Sequence, residues 1–213
     1  NNKFIKQKNS STFFIIAGEQ SADNHGAVLM QSIQELMPNA TFSGIGGEKM
    51  IASGLKSLEN IDKLAVMGFV EVIKHLSFFR ELTHRVLKEI KSIQPIQIIL
   101  IDYPGFNLRL AKKIKKRFDI PITYYISPQL WAWKEDRIAI IRKYVDQMLV
   151  IFPFEENWYK ERGIQAKYVG HHIFDEWSPT TKLELCNFLN ESRYVLPLYC
   201  LPDIYFPCYC CTD

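Results

Sequence analysis

The chain is predicted to be an α/β protein built on a doubly wound, Rossmann-like parallel sheet. Three observations support this. Short apolar runs alternate with segments of helical periodicity along most of the sequence, the pattern of βαβ units with right-handed crossovers. Residues 96–101 form a near-continuous β-branched run, typical of a strand buried on both faces. Residues 13–27, FFIIAGEQSADNHGA, read as a strand ending at Gly18, a polar turn and a helix. In such folds ligands sit at the carboxyl ends of strands, which is where this turn would lie. It is not GxGxxG, so the dinucleotide fingerprint does not apply.

In order, residues 1–11 read as a flexible arm and 13–17 as the first strand. A helix over 23–36 carries Ala27, Met30, Ile33 and Leu36 on its apolar positions and stops at Pro38. Residues 40–45 form the second strand, and 48–53 a short helical turn capped by Gly54. Residues 61–76 read as a helix or a pair of helices, and 78–93 as an amphipathic one. The strand at 96–101 is followed by a basic amphipathic helix at 107–118. Then come a strand at 122–126, a helix at 135–144, a strand at 147–152, a helix at 153–162 and a strand at 166–169. This gives six strands in all.

Composition excludes several classes. The 213 residues are 47% hydrophobic and 23% charged, ordinary for a globular protein. A net charge of +3 is too small to argue for nucleic-acid binding. No apolar run is long enough to span a membrane, and the polar N-terminus lacks the apolar core of a secretory signal. All five Cys (186, 200, 208, 210 and 211) fall in the last 28 residues. A body free of Cys fits a cytosolic protein without disulfides, and the CxCC spacing does not match a usual zinc site.

Chemistry concentrates at strand ends. Glu19, Ser21, Asp23 and His25 follow Gly18 and give that turn more functional groups than a connector needs. Asp102 ends the buried strand beside Pro104 and Gly105, and Asn107 is placed to cap the next helix. A half-buried carboxylate there can act as general base on a sugar hydroxyl. Spacing alone favours a turn-forming Asp over a base. Ser127 opens a loop with Trp131 and Trp133, which could stack on a sugar ring but pack by default. His171 and His172 follow Gly170; His171 could donate to a phosphate or sugar hydroxyl, although adjacent His in a strand-end loop are more often structural or solvated. No third metal ligand accompanies them, and no metal or cofactor is expected.

Seven motifs carry a resemblance: AGEQSADNHGA (17–27), GIGGEKM (44–50), LAVMGFVEVIKHL (64–76), IDYPGFNLRLAKK (101–113), YYISPQLWAWKEDRI (124–138), FPFE (152–155) and YVGHHIFD (168–175). In order and spacing over 12–177 they resemble lipid-A-disaccharide synthase. The resemblance implies an inverting glycosyltransferase of GT-B architecture, with 12–177 as its N-terminal, acceptor-side domain. It further implies transfer from UDP-2,3-diacylglucosamine to 2,3-diacylglucosamine 1-phosphate, forming a β-1,6 bond and releasing UDP, with Asp102 as base. Glu19, Ser21, Asp23 and His25 would line the cleft with Gly18, Asn107, Ser127, Trp131 and His171.

The resemblance also places the protein on the cytoplasmic face of the inner membrane, with a possible homodimer in full-length members. Val66, Phe69, Val70, Ile73 and Leu76 form one helical stripe with basic residues beside it. Met67, Phe69, Val72, Phe78 and Phe79 are the residues expected to reach the membrane. Three motifs depart from the family pattern: GEASGD becomes GEQSAD, DxPDFN becomes DYPGFN and GHP becomes GHH. Residues 178–213 hold every Cys and four of the ten Pro, and lack the PGSR-type loop expected to begin a UDP-binding domain. They read as a non-homologous tail from a shifted reading frame, or alternatively as a small cap. The expectation is a chain inactive alone. The alternatives are a non-catalytic lipid-binding remnant and another GT-B enzyme such as a UDP-sugar epimerase.

Overall fold

The computed structural model describes residues 11–61, 76–132 and 135–170. Strands and helices alternate as β1 (Thr12–Ala17), α1 (Gln20–Leu36), β2 (Thr41–Gly46), α2 (Glu48–Ala52), β3 (Leu55–Asn60), α3 (Leu76–Ile93), β4 (Gln97–Ile101), α4 (Pro104–Lys115), β5 (Ile122–Tyr125), α5 (Ile138–Tyr144), β6 (Gln147–Val150), α6 (Pro153–Glu161) and β7 (Ala166–Tyr168). A 3-10 turn, Glu135–Arg137, leads into α5. All neighbouring strands pair in parallel, in the order β3-β2-β1-β4-β5-β6-β7. This is a doubly wound α/β architecture.

Both faces of the sheet are apolar because successive side chains point to opposite sides. On β1, Phe14 and Ile16 join one core, whereas Phe13, Ile15 and Ala17 join the other. On β4, Ile98 and Leu100 go with the first pair, and Ile99 and Ile101 with the second. The first core is closed by Leu82, Val86 and Ile90 of α3 and by Leu110 and Ile114 of α4. The spacing of these residues, i to i+4, makes one helical stripe. The second core is closed by Ala22, Ala27 and Met30 of α1 and Met50 of α2.

The structure differs from the sequence reading at several elements. There is a seventh strand, β3. Its sequence LKSLEN carries no apolar run, and only Leu55 in it is buried, because it is an edge strand. Arg85 of α3 holds that edge, donating to the Glu59 carboxylate at 2.8 Å and to the Leu58 carbonyl. Helix α1 begins at Gln20, not Asp23, so the turn after β1 is shorter than its polar sequence suggests. Phe78 and Phe79 are half-buried and pack against the core, with Phe79 5.6 Å from Phe106 ring to ring. Met67, Phe69 and Val72 lie outside the described residues.

Candidate functional site

Strand order reverses between β1 and β4, which lie side by side with Ala17 opposite Ile101. Ligands of open α/β sheets bind at such a switch point. The two chain segments leaving it carry Glu19 and Asp102, and the negative charge of Glu19 is felt at the Asp102 carboxyl.

The backbone is strained there. Asp102 and Tyr103 are both left-handed, with φ of 45° and 47°, and Ile126 at the end of β5 has φ 63°. Left-handed backbone suits Asp far better than a β-branched Ile, and such outliers persist only where surroundings hold them. Asp102 is held at its backbone: its N–H donates to the Tyr125 carbonyl at 3.0 Å. Its carbonyl accepts from Tyr124 Oη at 2.6 Å and from Asn107 Nδ2 at 2.8 Å. Asn107 also donates to the Ile101 carbonyl at 3.2 Å. Tyr103 caps α4, so Asn107 sits inside the helix as a fully buried strut and neither caps it nor faces the cleft.

Asp102 lines a cleft of about 310 Å³ beyond the carboxyl ends of β4, β5 and β6, shared with Ser127, Gln129, Leu130, Arg137 and Phe152, among others. Burial pushes its pKa up to about 6, the Glu19 charge adds to the rise, and the Tyr103 backbone N–H opposes it. This is the range in which a carboxylate is ionised at neutral pH yet basic enough to take a proton. Ser127 lines the cleft but donates its hydroxyl to Glu155.

Several residues expected in the cleft do other work. Asp23 is fully buried and accepts from the backbone N–H groups of Gly47 (2.7 Å), Lys49 (3.0 Å) and Met50 (3.1 Å). It caps α2 from a neighbouring helix, because Gly47 has no side chain to do so. His25 is buried with its ring edge-on to Tyr125 at 5.9 Å. Trp131 is exposed and packs against Phe154 at 5.4 Å, outside the cleft wall. Ser21 is exposed on the first turn of α1. His171 lies outside the described residues.

Three residues were not anticipated. Glu155 is buried, and burial raises its pKa against hydrogen bonds from Ser127, the Phe152 backbone and Trp131. Its signal was the spacing of FPFE, with an acidic residue three positions after the N-cap reaching back to the Phe152 N–H at 3.3 Å. Tyr124, whose hydroxyl braces Asp102, looked like any apolar strand residue. Arg137 looked like a solvated charge. Among the described residues no group of three or more His, Cys, Asp or Glu could hold a metal, and no helix is long and apolar enough to cross a membrane.

The family model described as lipid-A-disaccharide synthetase matches residues 13–199. The chain belongs to the lipid-A-disaccharide synthetase family. A curated family member, lipid-A-disaccharide synthase 1 of Legionella pneumophila, is 43% identical over 165 residues, covering 78% of this chain and 43% of that protein. Lipid-A-disaccharide synthase of Coxiella burnetii is 40% identical over 182 residues, covering 85% of this chain and 48% of that protein. The chain thus spans less than half the length of these relatives. A solved structure, UDP-GlcNAc 2-epimerase from Neisseria meningitidis bound to UDP-GlcNAc, superposes with a TM-score of 0.51 at 8% identity, covering 85% of this chain and 49% of that one. At that identity it shares the fold. The family match runs past residue 178, where the composition changes.

Proposed function

We propose that this chain forms the acceptor side of an inverting glycosyltransferase that joins two acylated glucosamines, with Asp102 as general base. The observation that carries this reading is the place of Asp102 at the end of β4 on the cleft wall, with its carboxyl pKa pushed up to about 6. The 6-hydroxyl oxygen of 2,3-diacylglucosamine 1-phosphate attacks the anomeric carbon of UDP-2,3-diacylglucosamine. Its proton passes to Asp102 as the new C–O bond forms. The bond from the anomeric carbon to the diphosphate oxygen breaks with its electron pair, and UDP leaves. Attack from the face opposite the leaving group gives the β-1,6 link. Tyr124 and Asn107 fix the Asp102 backbone, so the base is already oriented when the hydroxyl arrives. Peripheral attachment to the cytoplasmic face of the inner membrane goes with this reading, because both substrates carry acyl chains.

The test joins this chain to the remaining part of the Legionella relative and compares Asp102 with Asp102→Asn. Turnover is expected to fall by about two orders of magnitude or more with little change in KM. Near-normal turnover removes Asp102 from the role.

A further inference from the structure

Arg137 stands on the same cleft wall as Asp102. It ends the 3-10 turn that leads into α5 and is half-buried. Among the described residues no carboxylate pairs with it. Glu135, two residues earlier, is held by Arg162 at 2.7 Å. The Glu155 carboxylate is occupied by Ser127 and the Phe152 N–H. Asp102 shares the cleft without forming an ion pair to it. A guanidinium carries five donors in a rigid fork and cannot be deprotonated. Held half-buried with no described carboxylate on it, that fork is arranged for an anion that arrives with a ligand.

We propose that Arg137 binds the phosphate of a sugar phosphate in this cleft, with the sugar ring lying between its guanidinium and the Asp102 carboxyl. This rests on the acceptor reading above and supplies the group that recognises the anionic end of the substrate. A planar fork meets two phosphate oxygens at once, which fixes orientation as well as adding affinity. Leu130 and Ile151, both buried, give the cleft an apolar floor, and the exposed Gln129 amide is available to sugar hydroxyls. A volume of about 310 Å³ is near the lower end for small-molecule sites. It suits a sugar-phosphate headgroup and leaves acyl chains outside. The phosphate has two possible sources, the 1-phosphate of an acceptor sugar and the diphosphate of a nucleotide sugar.

The experiment is titration calorimetry on the 213-residue chain with glucosamine 1-phosphate, glucosamine and UDP-N-acetylglucosamine, using wild type, Arg137→Gln and Arg137→Lys. Glucosamine 1-phosphate is expected to bind wild type about tenfold more tightly than glucosamine. Arg137→Gln should erase that difference with an unchanged melting temperature, and Arg137→Lys should keep part of it. If Arg137→Gln weakens only UDP-N-acetylglucosamine, the phosphate recognised is the donor's. Equal binding of glucosamine 1-phosphate and UDP-N-acetylglucosamine to wild type and Arg137→Gln overturns the role of Arg137 and leaves the cleft reading standing. No binding of any of the three at millimolar concentration overturns both. Should Arg137→Gln melt early, Arg137→Lys carries the comparison: a reduced phosphate preference supports the fork contact, and an unchanged one overturns it.

Discussion

Tyr103 lies across Gly18: a Cβ on Gly18 would fall 2.3 Å from Tyr103 Cγ and 2.7 Å from Tyr103 Cβ. The contact ties the end of β1 to the end of β4 one residue from Asp102. Those atoms are the root of the Tyr103 side chain and cannot swing away by a rotamer change alone. Gly18→Ala should therefore displace the Asp102–Tyr103 backbone and cost about 1–3 kcal/mol, the usual range for overpacking. Urea unfolding measures it. Unchanged stability would mean that the strand ends can separate freely.

Asp102→Asn should make the protein more stable at neutral pH. The folded pKa of about 6 lies above the ordinary 3.8, so the folded state binds more protons between those values. Stability falls as pH rises through this window, and the loss is complete above about pH 6. Asn does not titrate, and it tolerates the left-handed φ of 45° that this position requires. Each pKa unit is worth about 1.4 kcal/mol, so the advantage of the variant should approach 3 kcal/mol at pH 7.5 and vanish near pH 4. A gap of constant size across that range would show that the carboxyl is not desolvated.

Glu19→Gln tests the influence of the neighbouring charge on Asp102. Removing the negative charge of Glu19 favours ionised Asp102 and should lower its pKa below about 6, with burial still holding it above the ordinary range. NMR titration of the Asp102 carboxyl carbon reads this directly. In an active two-domain version, the acid limb of the rate profile should shift to lower pH by the same amount.

Gly105 lies in the DYPGFN motif, and a Cβ there meets nothing within 4 Å. The residue is exposed in the first turn of α4. A negative charge at a helix N-terminus contributes roughly 0.3–1 kcal/mol, and Gly is a poor helix former. Gly105→Asp should raise the melting temperature slightly. A fall of several degrees would place an unseen constraint on that turn.

The doubly wound fold was legible because both faces of the sheet are covered, so β1 and β4 write themselves as apolar runs. β3 was not, since an edge strand half open to solvent keeps Lys56, Ser57 and Glu59 and loses the pattern. Asp102 was legible by place: it ends a buried strand beside Pro and Gly. Asp23 and Asn107 were misassigned for one reason. A polar residue beside a strand end looks the same in sequence whether it faces a ligand or satisfies backbone groups of a distant segment. Asp23 serves amides 24 to 27 positions away, a relation no local pattern encodes.

That relation has a consequence for how the molecule breathes. Helix α2 is five residues long, far too short to persist by itself, and its first amides end on a side chain borrowed from α1. The two helices therefore open together. In hydrogen exchange the amides of Gly47, Lys49 and Met50 should slow to the pace of α1 and form one cooperative unit with it. One buried carboxylate thus joins two helices of the second core into a single unit.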